Sequence, residues 1–345
     1  MKQLPLTSFA DISVEKRKIK SDFFVQINKL IDWEEISKAI NKHYNKGNSA
    51  TGRPSYDGLL LFKMTLLQTW YGLSDYELED SVNDRISFSK FVGLSIEDKS
   101  PDHSVISRFR TTLTKENTYE KLFQLINDQL EKHQIIVKSG VIVDASITDS
   151  PRKPRGKKEY VEVIKEDTEQ VDRLNEVKWE EKKQKQVDEE AKWVIKDKKI
   201  RFGYKKHIVT DENGMVLGVL TTSANVNEIS NLSEVLEKVE LPKNAKIKAD
   251  KGYKSERNDR IVSDMGLRNH IMHKAKKNKP LTKRELLFNR LVSKVRYKIE
   301  RTFGSIKRWF QSGVARYVGK KKMHTQHIME AIAYNLYRSP KIVMP

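Results

Sequence analysis

Val141-Ile142-Val143-Asp144-Ala145-Ser146-Ile147-Thr148 (VIVDASIT) is a short, β-branched run with one acid inside it. Its composition is that of a strand buried on both faces. An ionised carboxylate in such a strand costs several kcal/mol unless it is paired or binds a metal, so Asp144 needs a reason. A second apolar strand, Ala245 to Asp250 (AKIKAD), also ends in an acid, and Lys251-Gly252-Tyr253 follows it. The chain turns sharply there and leaves the Asp250 carboxylate at the C-terminal edge of a sheet, where open α/β sheets place ligands.

Outward from these two strands the pattern stays layered. Residues 205–222 read as a hairpin, with Asn213-Gly214 as the turn between two β-rich segments. Asn227 to Val239 and Ser255 to Met265 are helical, Arg268 to Met272 is a strand, and Thr282 to Phe310 is a long helix. The order predicts an α/β fold, a mixed sheet flanked by helices. Upstream, residues 1–135 read as an all-helical domain. Tyr56 to Tyr71 is a buried helix ending at Gly72, Ser74 and Glu77 form a capping box, Ser100-Pro101-Asp102 opens a helix with Arg108 and Arg110, and Tyr119 to His133 is amphipathic. Paired helices with a tight turn fit a major groove, and plain helical packing fits them as well. Residues 136–345 form the second domain. Within it, about residues 150–199 make a charged insertion with 15 basic and 13 acidic residues, expected as a solvated helix or loop. Trp179 and Trp193 leave open a contact with DNA or a second subunit.

The 345 residues carry a formal charge of +19 and a pI near 9.6, which implies a polyanionic partner, nucleic acid ahead of a membrane surface. No apolar run approaches the ~20 residues of a spanning helix, and MKQLPLTSFADIS lacks the profile of a signal peptide. The expected location is the cytoplasm. With no cysteine, a metal here would be held by oxygen, with room for some imidazole, and oxygen ligands favour magnesium or manganese. Most of the charge lies between Arg268 and Lys322, where 18 Lys and Arg face two acids, Glu285 and Glu300. A carboxylate in so basic a helix suits a divalent metal beside a phosphate backbone. At 100° per residue, Arg296, Glu300, Gly304 and Lys307 fall within about 40° of one direction. Leu291, Val295, Ile299, Phe303, Ile306 and Phe310 form the adjoining apolar stripe, expected to pack on the sheet.

VIVDASITD, ADKGYKS and RYKIERTFGSIKRW resemble the three catalytic segments of DDE transposases of bacterial insertion sequences, in the IS-five branch of the IS-four-like group. GRPSYDGLLLFKMTLLQTWYGLSDYELED is similar to that branch's N-terminal domain, and FGYKKH with TTSANVNE to the hairpin between the first two acids. The resemblance implies an RNase H-like catalytic core, with Asp144, Asp250 and Glu300 as the catalytic acids and metal ligands. It also implies two Mg2+ ions, for which Mn2+ can substitute, with Asp144 bridging them and Asp250 and Glu300 each favouring one. The group's glutamate signature is tyrosine, two residues, arginine, three residues, glutamate, six residues, lysine. Arg296, Glu300 and Lys307 match it, while Ser293 stands at the tyrosine position and Tyr297 lies one turn further on.

The implied activity is cleavage at element ends by water attack, then joining of the freed 3′ hydroxyl to target DNA, both by in-line displacement at phosphorus. Double-stranded DNA is the partner and a homodimer on DNA the working form, in the bacterial cytoplasm at the nucleoid. Arg296 and Lys307 would grip phosphates, as would Lys205 and His207 from one face of the hairpin. Tyr253 and Lys254 are DNA contacts or packing residues. His324 and His327 are expected to bracket a helix start capped by Thr325, and Asp149 and Asp211 to serve a turn and the hairpin. The alternatives are an RNase H-like structure-selective nuclease and a non-catalytic DNA-binding protein derived from a transposase. The first would not need the helical domain, and the second would gain nothing from the acids.

Overall fold

The computed structural model describes residues 23–44, 55–95, 97–155, 186–276 and 278–343, with the backbone alone of 160–163 and 178–181. Gly52-Arg53-Pro54 and the Trp179 side chain lie outside this set. Among the described residues, seven helices come first: α1 (Phe23–Leu30), α2 (Trp33–Asn41), α3 (Gly58–Tyr71), α4 (Asp75–Asp84), α5 (Ile86–Val92), α6 (His103–Lys115) and α7 (Thr118–Lys132). Local chemistry sets their ends. Asp57, Ser74 and Asp102 each cap a helix through a side-chain oxygen, Ser74 and Glu77 complete the capping box, and Gly72 closes α3 at φ +69°, where a side chain would strain the backbone.

Strand β1 (Gly140–Asp149) is the centre of the sheet. On one side it pairs antiparallel with β5 (Lys199–Asp211), whose other edge carries β4 (Lys192–Lys196) and then β6 (Val216–Ser223). On the other side β7 (Lys246–Ala249) and β8 (Arg268–Ile271) follow, both parallel. The expected mixed sheet is present. Asp211 holds the β5–β6 turn, its carboxylate accepting from the Asn213 and Met215 amides, and Gly214 adopts φ +84°. Gly203 sits where β5 passes between two neighbours, and a Cβ there would run into the Thr148 carbonyl.

The charged insertion is not helical where it is described. It holds the two-stranded sheet of β2 (Tyr160–Val163) and β3 (Lys178–Glu181), then β4. Trp193, Val194 and Ile195 supply the β-branched and aromatic content that the surrounding charge obscured. Residues 227–239 are helical only in part, as a 3-10 turn (Glu228–Asn231) and α8 (Leu232–Leu236); α9 (Glu256–Asp264) links β7 to β8.

Two helices close the core. Helix α10 (Lys283–Phe310) opens with a Thr282–Glu285 capping box and lies against β1, β7 and α3. It buries Ile299, Phe303, Ile306 and Phe310, as the stripe requires, but Leu291 is exposed and Val292 is buried in its place. Helix α11 (Lys320–Arg338) packs on β6 and on α3, α6, α7 and α10, with every residue from Thr325 to Leu336 buried. It starts five residues before Thr325, which is interior rather than a cap, and Gly319 precedes it without a side-chain cap. His327 is wholly buried and bonds Thr148 and Thr221 at 3.1 and 2.7 Å. One continuous hydrophobic core, from Phe24 to Leu336, joins the N-terminal helices to the sheet. The short α12 (Pro340–Val343) ends the described chain, and among the described residues no helix is long and apolar enough to cross a membrane.

Candidate active site

Parallel pairing sets two acids side by side. Val143 pairs with Ala249, so the next residues on each strand, Asp144 and Asp250, are neighbours across the β1–β7 step. β7 stops there because the Asp250 carboxylate accepts from the Lys251 amide at 2.7 Å and caps the 3-10 turn 251–253. Helix α10 brings Glu300 to the same edge. All three carboxylates meet one guanidinium: Arg296 lies 3.3 Å from Asp144, 3.1 Å from Asp250 and 2.7 Å from Glu300. The acids predicted from three distant segments therefore converge, although their oxygens are not all within 4.8 Å of one another, because the guanidinium lies among them. A cationic group already occupies their meeting point.

The electrostatics fit a cation site. Burial pushes the Asp144 carboxyl up to about 6, against the pull of Arg296 and of the Ala145 amide, which donates to it at 2.8 Å. Glu228, at the start of the 3-10 turn, raises it further, and Lys196 on β4 lowers it. The Nε of Arg296 is buried without a partner among the described residues. All the acids offer oxygen, and the set suits a hard divalent cation.

Lys307 lies two turns beyond Glu300 on α10 and has no hydrogen-bond or ion-pair partner among the described residues. Burial pushes it down to about 8, with Arg201, Lys206 and Lys196 adding their repulsion and Asp149 opposing them. Of these cations, Lys206 is buried in an ion pair with Glu330 and Arg201 is paired with Asp149. Gly304, between Glu300 and Lys307, faces open space. Lys205 is nearly buried, donating to the Val226 carbonyl at 2.7 Å and lying 3.5 Å from Glu228; burial holds it below the usual lysine range. Lys254 is paired with Asp259 at 2.8 Å.

His207 differs from expectation, and of its two readings Tyr253 takes packing. Both are fully buried. Burial, with Asp144 and Glu228 nearby, drives the Tyr253 hydroxyl well above its ordinary range, and that hydroxyl has no partner. His207 bonds Thr222 at 2.9 Å and burial pushes it down to about 3, so it is neutral. As placed, neither reaches a duplex; alternation put His207 on the same strand face as Lys205, but that face is covered. Glu228, Lys196 and the Arg201–Asp149 pair were not singled out in the sequence. Glu228 ends the quoted TTSANVNE, and its place after an Asn cap was the available signal.

The family comparisons agree with this geometry. The family profile described as "Transposase DDE domain" matches residues 136–336, and "Transposase domain (DUF772)" matches residues 12–112. The chain belongs to the DDE transposase family. It is 33% identical over 234 residues to the "Transposase for insertion sequence element IS1106" of Neisseria meningitidis serogroup B, covering 67% of this chain and 76% of that relative. Among solved structures, the chain of a piggyBac transposase synaptic complex with hairpin DNA superposes with a TM-score of 0.46 at 10% identity, over 93% of this chain and 74% of that one, a likeness too slight to carry weight. DDE transposases generally require a divalent metal. Elsewhere in this transposase, Glu79, Asp102 and His103 also come within ligand distance of one another. They are explained as a helix clasp: Glu79 accepts from the His103 amide and ring at 2.9 and 3.0 Å, and Tyr76 stacks on the ring at 3.9 Å.

Proposed function

We propose that this enzyme cuts DNA at the ends of an insertion sequence and joins the freed 3′ hydroxyl to target DNA, using an RNase H-like core. The observation that carries the reading is the meeting of Asp144, Asp250 and Glu300 at Arg296. The sheet supports the core assignment, with β6, β5 and β1 antiparallel and β7 and β8 parallel to β1. The three carboxylates hold two Mg2+ ions, with Mn2+ as a substitute. Bound there, the ions supply an activated oxygen nucleophile and stabilise the leaving oxygen of an in-line displacement.

The remaining work belongs to the chain. Arg296 leaves the carboxylates for a DNA phosphate, and Lys307 holds a phosphate two turns away. Lys205 and Lys254 add positive field from the rim, and Gly304 lets the DNA backbone come close to the helix. Tyr297, which is half exposed, takes the place left by Ser293 in the signature, which keeps the enzyme in the IS-five branch. The helices of residues 1–135 read the element ends, and residues 136–345 catalyse. Two ends are cut together, so a homodimer on DNA is the working form, in the cytoplasm at the bacterial nucleoid.

The test uses labelled element-end duplex with the wild-type chain and Asp250→Asn, in magnesium and in EDTA. Wild type cleaves and joins in magnesium only, while Asp250→Asn binds and does neither. Magnesium-dependent products equal in both proteins would remove the reading.

A further inference from the structure

We propose that the β4–β5 hairpin, residues 192–201, is a two-faced arm that engages DNA beside the catalytic acids, with a cationic face on phosphates and an apolar tip on the bases. The inference rests on the reading that the chain acts on DNA. Strand β5 outruns β1 by its first four residues, whose described strand partner is β4. The hairpin therefore projects past the end of β1, on the side of the sheet edge that holds Asp144 and Asp250. Its turn, Asp197-Lys198, has φ of +52° and +60° at both positions, the tight primed turn whose twist matches the strands. Such an arm is stiff.

Register separates the two faces. Trp193 opposes Phe202 and Ile195 opposes Ile200 on one; Val194 opposes Arg201 and Lys196 opposes Lys199 on the other. The apolar face is anchored at its root, where Phe202 is buried with Tyr204, Ala315 and Met323, and opens toward its tip. Trp193 is 46% exposed, Ile195 73% and Ile200 70%. Burying an isoleucine is worth about 1.5–3 kcal/mol, so two left in water at the end of a stiff arm mark a binding surface.

The cationic face points the arm at the reaction. Arg201 grips Asp149 at the end of β1, Lys196 lies 3.7 Å from Glu228, and the charge of Lys196 reaches both Asp144 and Lys307. Lys192, Lys196, Lys198, Lys199 and Arg201 face a single acid, Asp197, in the ten residues. That balance selects a polyanion. A second copy of a chain with formal charge +19 would repel this face, whereas duplex DNA satisfies both: phosphates for the cations, and base steps into which branched side chains wedge. Unstacking at the cleavage point would free the strand to approach the acids.

The test is a duplex carrying the element end with 2-aminopurine at the terminal positions, mixed with the full chain in EDTA so that no cleavage occurs. Wild type raises the fluorescence several-fold. Ile195→Ser/Ile200→Ser binds within about threefold of wild type, a change under 1 kcal/mol, and loses most of the rise. Lys196→Gln/Lys199→Gln weakens binding and lowers the slope of log affinity on log salt by about 1.8. A wild-type rise from the isoleucine variant overturns the proposal. So does a fall of several degrees in its melting temperature, which would make the patch a core contact, or a change from dimer to monomer by light scattering, which would make it a subunit interface. Magnesium-dependent cleavage by wild type is scored separately, so failure of the transposase reading and failure of the arm are distinguished.

Discussion

Arg296 pairs with three carboxylates whose mutual repulsion would otherwise destabilise the sheet edge. In the proposed function it is a stand-in for metal, and bound cations would displace it. Arg296→Ala should lower the melting temperature in EDTA by a few degrees and enlarge the upward shift that magnesium produces, read by thermal melting with and without the ion. Equal magnesium shifts in the two proteins would contradict the exchange. Asp144 carries its own cost. Its folded carboxyl titrates near 6 against an ordinary 3.8, so the native state binds more protons between those values and stability falls as pH rises through them. Asp144→Asn should therefore be close to neutral below pH 3.8 and stabilise the metal-free chain at pH 7 by up to about 3 kcal/mol. Calorimetry across that range checks the sign.

Among the elements, α11 buries five polar side chains, Thr325, Gln326, His327, Glu330 and Asn335. Asn335, wholly buried, accepts from the Val216 amide at 2.8 Å and donates to the Val216 carbonyl at 2.7 Å and to Asn127 at 2.8 Å, tying the start of β6 to α7. Asn335→Ala leaves that amide unpaired in the core and should cost about 2–3 kcal/mol in chemical denaturation. The strands and helices that place the acids were legible because each has local chemistry: the β-branched run around Asp144, the turn behind Asp250, the capping box of α10. Their convergence was legible from type and spacing, since a strand-borne Asp and a lone Glu in a basic helix both needed a reason. The arm was not legible. Lysines alternating with Trp193, Ile195 and Ile200 resemble a solvated segment until a turn fixes their register. Burial of His207 was hidden for a related reason, since alternation assigns faces but does not say which face another layer covers. Leu291 failed because the stripe of α10 begins a residue later, at Val292, and nothing in its first turns is buried.

For the molecule as a whole, the described core runs unbroken from the helices into the sheet, with the Lys206–Glu330 ion pair buried inside it, while Lys196 and Arg201 lie close enough to Lys307 for it to feel their charge. DNA affinity should fall steeply as salt rises, because each neutralised phosphate contributes about −0.9 to the slope of log affinity on log salt. Lys307→Met should reduce that slope by about one and leave the melting temperature within a few degrees of wild type, a pair of readouts that separates a phosphate contact from a packing role. The position of α11 has a further consequence. Domains form from the N-terminus as the ribosome delivers them, yet this helix, with Thr325 to Leu336 buried, is made after both the helical domain and the sheet. Until it arrives, the helical domain and the sheet each lack the wall they share, so a nascent chain stopped before Lys320 would be sticky and unfinished rather than a smaller working enzyme. Competence to move DNA is thus withheld until α11 itself has been translated.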